Sequence, residues 1–358
     1  MKLGLGLYRH MLNQDNFRFA KQAGATHIVA HWVNYFPPGS AGTIKLHQRD
    51  ASKPWGVSDN RGQLWTVEEL TDLKKAINAA GLELEAIENL DPSHWYDILL
   101  DGPEKENQLE NVKTIIRRLG KAGIHTLGYN FSLAGIWGRV AGPYARGGAE
   151  SVGFLGKDGP PDTPLPKGQV WNMIYDEAAP AGDIGPVSAE QMWQRLEDFL
   201  KAVVPVAEEA GVRLAAHPDD PPMPVLRGTA RLIHQPRLYQ KLLDLYPSHY
   251  NALEFCQGTL SEMTEDDLYT YIDKYSKQGN IAYIHFRNVR GKVPNYREVF
   301  VDEGQVDMVR ALRIYRKNGF DGVMVPDHTP QMTCDAGWHA GMAFALGYMR
   351  GAMAALDS

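Results

Sequence analysis

Cysteine is scarce in this sequence: Cys256 and Cys334 are the only two in 358 residues, too few for a disulfide framework. No run of about 18 apolar residues occurs, so no membrane-spanning helix is expected. The opening Met-Lys-Leu-Gly-Leu-Gly-Leu-Tyr is interrupted too soon, by Arg9 and His10, to read as a signal peptide. These three lacks make a reducing cytoplasm the expected compartment. Basic residues are also in deficit. The 37 Lys and Arg face 43 Asp and Glu, a formal charge of −6 without the basic footprint that nucleic-acid binding needs. That balance still permits a local arginine cluster for a small anion. No glycine-rich phosphate loop follows the first apolar run, which argues against a dinucleotide-binding domain.

What is present suffices for a large core, with 44% hydrophobic residues. Apolar strand-like runs at 3–8, 27–32, 82–89, 126–131, 212–217, 251–256, 281–287 and 321–327 alternate with helical patterns. The helices are expected over 14–23, 66–81, 106–121, 188–211, 229–245, 265–278, 305–318 and 338–356. Thr66 with Glu69 forms a capping-box pattern, and Ser188 is placed to cap the helix that reaches Gly211. Eight such strand–helix units predict an α/β fold, a (β/α)₈ barrel spanning 1–358 as one domain. Residues 33–63 read as a long loop. Residues 132–187 are dense in proline and glycine and read as an insertion after strand four, a lid or an interface arm.

Residues 213–222, Arg-Leu-Ala-Ala-His-Pro-Asp-Asp-Pro-Pro, run from a short strand into a rigid acidic loop. His217 falls at the strand end, where a barrel keeps its active-site groups. The arrangement recurs. Strand six ends in Cys256 with Glu254 on the same face, strand seven in His285 and Arg287, and strand eight in Asp327 followed by His328. Strand four ends Tyr129-Asn130-Phe131, and strand three carries Glu88 and Asn89. A single strand-end histidine usually bonds a carbonyl, and a single buried cysteine usually packs as a small hydrophobe. His, Cys, His and Asp on four neighbouring strands favour a metal site. The mixed N, S and O set leaves Fe(II), Mn(II) and Zn(II) open.

These blocks resemble the mannonate dehydratases. The resemblance rests on His-Pro-Asp-Asp-Pro-Pro at 217–222, Tyr-Asn-Phe at 129–131 with Trp137 and Arg139, His285-Phe286-Arg287, and Pro326-Asp327-His328 before Gln331-Met332. Gln-Ala-Gly-Ala-Thr at 22–26 and the run 205–218 match as well. The resemblance implies a TIM barrel of the xylose-isomerase-like kind, a divalent Mn or Fe ion, and dehydration of D-mannonate to 2-keto-3-deoxy-D-gluconate. Carried over by position, His217, Cys256, His285 and Asp327 are the metal ligands and His328 the acid/base histidine. The expected partners are a small sugar-acid substrate and a second copy of the chain in a homo-oligomer, with neither nucleic acid nor membrane. Three positions depart from the family pattern. Val325 stands where an arginine is usual, Trp338 where a catalytic tyrosine is usual, and Met342 where an arginine is usual. The amino terminus also lacks the family's Trp-Arg-Trp-Tyr-Gly start.

Such a dehydration removes a proton alpha to a carboxylate and expels the neighbouring hydroxyl. A divalent ion would stabilise the charge that develops, and a cation beside His328 would lower its pKa toward neutrality. Arg287 is placed to hold the carboxylate, or else to pair with Asp219 or Asp220. Tyr129 and His339 are candidates for the acid that Trp338 cannot be. Asn130, Trp137, Arg139 and Asp219 complete the expected substrate contacts. Two other readings stay open: a sugar isomerase or epimerase, which Glu254 would suit, and a metal-bound sugar-acid binder without turnover.

Overall fold

Side chains alternate along a strand, and the first run shows what that does here. Leu3, Leu5 and Leu7 are buried toward the outer helical layer. Gly4, Gly6 and Tyr8 turn the other way. A Cβ at Gly4 would lie 2.5 Å from Val323 Cγ1, so only glycine lets these two strands close side by side. The computed structural model describes residues 1–35, 54–58, 63–265 and 267–357.

Eight parallel strands close into a barrel: Lys2–Tyr8 (β1), His27–His31 (β2), Glu83–Glu88 (β3), Thr126–Tyr129 (β4), Arg213–Ala216 (β5), Asn251–Cys256 (β6), Ile281–His285 (β7) and Val323–Val325 (β8). Each pairs with its sequence neighbours, and β1 meets β8 through Lys2↔Val323 and Leu3↔Met324. The strand interior is packed with small residues, Val29, Ala86, Ala215, Ala252, Ala282, Val323 and Val325, around the Tyr283 ring. At the C-terminal ends the inward positions change character, to Glu88, Glu254, Cys256 and His285.

The outer helices bury one apolar stripe each. In Lys105–Lys121, Leu109, Val112, Ile115, Ile116 and Leu119 are buried at helical spacing. Each full burial stabilises by about 1.5–3 kcal/mol before the entropy of ordering is counted. Both expected caps form. Thr66 and Glu69 make a reciprocal capping box, as do Ser188 and Gln191. Gly211 ends the second helix in the left-handed region, φ +67°.

Several stretches differ from the sequence expectation. The helix expected over 229–245 covers only Leu238–Leu245. Thr229–Ala230 pairs instead with Val225–Leu226, and Pro236 biases the residue before it away from helix. An additional helix, Pro92–Leu100, follows β3, with Asp91 as its N-cap and proline at its first position. The stretch 132–187 is not a plain loop. Arg139–Ala145 and Ala149–Phe154 form an antiparallel pair that joins a hairpin from the β7–β8 connection, Asn288–Lys292 with Asn295–Val299, in one four-stranded sheet. Gln169–Val170 and Met173–Ile174 form a second hairpin, extended by Gly56–Val57. Of the loop expected over 33–63, residues 36–53 and 59–62 lie outside the described residues.

Candidate functional site

His217 immediately follows β5, its backbone N–H donating to Tyr129 O at 2.8 Å. Its Nδ1 sits 2.6 Å from Pro218 O, which fixes the ring and leaves Nε2 toward the barrel axis side, 3.9 Å from Glu254 Oε1. Cys256 is the last residue of β6, fully buried, and its Sγ accepts from Thr259 Oγ1 at 3.0 Å. His285 is the last residue of β7, with the His217 and His285 ring centroids 5.4 Å apart. One donor atom each from His217, Cys256 and His285 lie within 4.8 Å of one another. Asp327, in left-handed backbone at φ +60°, adjoins this group, its Oδ2 3.3 Å from His285 Nδ1 and 3.1 Å from Arg287 Nε. A second convergent group shares His285: Glu88 Oε2 at 3.3 Å and Glu254 Oε1 at 3.1 Å from its Nε2.

Burial opposes ionisation of the Cys256 thiol, yet Arg287, His217 and His285 together hold it well below the usual thiol range. A thiolate is the metal-binding form of cysteine. The two buried carboxylates are driven apart. Glu254 is pushed up by burial and by the charge of Glu88. Burial works against the Glu88 carboxylate too, but His31 and His285 hold it low.

His328 lines the same cavity. Its Nδ1 lies 3.0 and 3.1 Å from the two carboxylate oxygens of Glu298, on the hairpin strand Asn295–Val299, and its Nε2 lies 3.4 Å from Asp327 Oδ1. Burial disfavours the imidazolium, but Asp327 and Glu298 outweigh it and raise the pKa. These neighbours therefore act opposite to the lowering expected from a cation alone. Arg139, also on the cavity wall, pairs with Asp220 and lies 3.3 Å from Glu298. Asn130 lines the wall and donates to Pro218 O at 3.2 Å.

Five expected residues are placed elsewhere. Arg287 does not line the cavity. Its guanidinium is buried against Asp220 (2.5 Å), Glu262 (2.7 Å), Asp327 (3.1 Å) and Glu298 (3.5 Å), so the expected pairing with Asp220 holds it and the clamp on a substrate carboxylate does not. Tyr129 points outward, its ring against Trp95 and Phe199. Trp137 packs with Ala134 and Leu226 under Arg227, whose guanidinium lies 3.7 Å from the ring centroid, beside a separate cavity. Asp219 accepts from the Leu232 and Ile233 amides at 2.7 and 2.8 Å and pairs with Arg231 at 2.9 Å, which pins the loop and takes the carboxylate out of the site. Its neighbour Asp220 faces the cavity instead, as alternation along an extended loop allows. His339 bonds Asn16 at 2.9 Å, away from the cavity.

The cavity also has walls that sequence reasoning did not name: Tyr8, His31, Tyr35, Trp55 and Trp171. Tyr8 and His31 were within reach, since they end β1 and β2 at the same rim. A small adjoining cavity is bordered by Gly6, Tyr8, Val325, Asp327 and Trp338, so two of the three departures from the family pattern lie beside the site.

Comparison with known proteins follows this geometry. The family described as D-mannonate dehydratase (UxuA) matches residues 17–154 and 183–358. A mannonate dehydratase from Streptococcus suis (strain 05ZYH33) is 33% identical over 281 residues, covering 75% of this chain and 75% of that protein. Mannonate dehydratase 2 from Halalkalibacterium halodurans is 32% identical over 278 residues, covering 75% and 79%. The crystal structure of mannonate dehydratase from Streptococcus suis serotype2 superposes with a TM-score of 0.78 at 28% identity, over 99% of this chain and 93% of that one. A xylose isomerase domain protein from Planctomyces limnophilus shares the fold alone, with a TM-score of 0.57 at 12% identity over 99% of this chain and 98% of that one. With matched spans on both sides of the 155–182 stretch and every barrel strand from β2 onward inside them, the chain belongs to the D-mannonate dehydratase family.

Proposed function

We propose that this protein is a metal-dependent hydro-lyase that removes water from a sugar acid, D-mannonate first among candidates. The observation that carries the reading is the meeting of His217, Cys256 and His285 donor atoms within 4.8 Å at the barrel rim, beside His328.

The residues fit a divalent ion. The buried carboxylates of Glu254 and Asp327 converge on His285, Glu254 Oε1 3.1 Å from its Nε2 and Asp327 Oδ2 3.3 Å from its Nδ1, a concentration of negative charge that a cation would offset. The thiol is held low, as a metal ligand requires. His217, Cys256, His285 and Asp327 would hold the ion; imidazole, thiolate and carboxylate together admit Mn²⁺, Fe²⁺ or Zn²⁺, of which the family resemblance implies Mn²⁺ or Fe²⁺. When bound, the ion supplies Lewis-acid stabilisation of the negative charge that develops beside the substrate carboxylate.

The chain's own groups do the rest. The C2 proton leaves to a base, the C3 hydroxyl leaves as water after gaining a proton, and the resulting enol becomes a 2-keto-3-deoxy acid. His328 is assigned the proton transfers. Glu298 holds its Nδ1, which leaves Nε2 as the exchanging nitrogen. Arg287 is a positioning residue that fixes Asp327 and Asp220 from behind. Asn130 supports His217 through the Pro218 carbonyl, to which both donate. The antiparallel pair from 132–187 forms part of the cavity roof through Arg139 and Val152, which supports a covering role.

One observation favours a second reading. Glu88 and Glu254 converge on the same His285, a carboxylate-rich set that would suit an isomerase or epimerase. Mass analysis of the product from a metal-loaded reaction separates the two. Water loss supports the hydro-lyase, and an unchanged mass supports the isomerase.

A further inference from the structure

One wall of the cavity is aromatic and uncharged. Tyr35, Trp55 and Trp171 form a mutual cluster with ring centroids 5.4–5.7 Å apart, and all three line the cavity. The wall starts from the reacting end, since Tyr35 lies 5.8 Å from the His31 ring and 6.2 Å from Tyr8. It then leads away, through Trp55 and Trp171, with Ile136 beside them. The charged lining residues Arg139, Asp220, Glu88, Asp327 and His328 pair among themselves, with Glu298, or with His285 and His31.

Trp171 reaches this wall at a conformational cost. Val170↔Met173 closes a two-residue hairpin turn in which Trp171 and Asn172 both have positive φ, +48° and +62°. Such turns prefer Asn-Gly, and a bulky residue in left-handed backbone is an outlier that the surroundings must hold. They do so here. Trp171 N–H bonds Leu133 O at 2.8 Å, Trp55 N–H bonds Asn172 O at 2.6 Å, and Asn172 Nδ2 bonds Ile136 O at 2.8 Å. Gly135, itself at φ +59°, leaves the space, since a Cβ there would lie 2.9 Å from Trp171 Cα. Strained residues of this kind cluster at ligand sites. The turn lies in 155–182, between the spans that the family matches.

We infer that Tyr35, Trp55 and Trp171 form a selectivity subsite for the uncharged end of a sugar acid. Its C–H surface packs on the rings. Acids with a second anionic group at that end, an aldarate or a phosphorylated aldonate, are rejected because the rings would desolvate the charge and no cation among the described residues of this wall would pair with it. The inference rests on the sugar-acid reading and narrows its substrate class.

The test is isothermal titration of the metal-loaded full chain with D-mannonate, D-mannarate and 6-phospho-D-gluconate, with turnover followed in parallel. The wild type is expected to bind D-mannonate at least about tenfold more tightly than the two more highly charged acids. Trp171→Gly suits the turn's backbone and removes only the indole; Trp55→Ala is the second variant. Each should weaken D-mannonate binding about tenfold, while metal content and melting temperature stay near wild type. Variants that bind D-mannonate like the wild type overturn the subsite, as does a wild type that binds D-mannarate equally well. Binding without dehydration, lost in both variants, keeps the subsite and removes the hydro-lyase reading. Dehydration with binding intact in both variants does the reverse.

Discussion

Arg287→Met is the most exacting perturbation of the fold around the site. The wild-type guanidinium is 2% exposed and faces Asp220, Glu262, Asp327 and Glu298 at 2.5–3.5 Å. Methionine fills most of the volume and removes the charge, leaving buried carboxylates with Arg139 as the arginine that remains beside Asp220 and Glu298. Removing one partner of a buried pair costs about 3–5 kcal/mol, chiefly as the penalty on the charges left behind. For a chain of this size that lowers the melting temperature by about 4–7 °C. Arg287→Lys should recover only part, because an ammonium cannot fork to several acceptors. The pH dependence has a definite sign. Burial, with Asp220 next, already holds the Glu262 carboxyl well above its usual range. A carboxyl whose folded pKa is raised contributes stability below its unfolded pKa and loses it as pH rises through the folded value. Without the arginine its neighbours move the same way, so the deficit of Arg287→Met should shrink from pH 8 to pH 5. Thermal melts across that range are the assay. A variant within about 1 kcal/mol of wild type, or a deficit independent of pH, would refute the argument.

Three other outcomes are expected. His328→Asn should lose about two to four orders of magnitude in turnover while metal content, measured by elemental analysis, is kept; loss of the metal would place His328 among the ligands. Asp219→Ala should destabilise by about 2–4 kcal/mol in urea melts, because two amides and Arg231 lose their acceptor, with no direct effect on metal content. In limited proteolysis the paired strands 139–154 should resist and the exposed run 176–183 should be cut first; protection of that run by metal and substrate would support a lid, and unchanged cutting would speak against one.

The sequence made the barrel legible because parallel strands leave short apolar runs and each helix carries its own cap and stripe. It also placed His217, Cys256, His285 and Asp327 at one height, since strand ends in a barrel share a rim. Arg287 and Asp219 were harder. Their residue types suit a substrate clamp, and only the structure shows the partners that occupy them. Tyr129 and Trp137 were assigned from their neighbours along the chain, whereas alternation and a loop turn aim them elsewhere. Glu298 was invisible for another reason. It reaches His328 from a hairpin in a different connection, a contact that no local pattern encodes. Trp171 had no readable signal, because its turn breaks the residue preference of its own type.

The central claim is that these strand ends hold a metal for water elimination from a sugar acid. Its most direct test is mass analysis of D-mannonate incubated with metal-loaded and metal-stripped wild type. The account predicts a 2-keto-3-deoxy product lighter by one water, formed only by the loaded protein. A product of unchanged mass, or equal water loss after the metal is stripped, would contradict it.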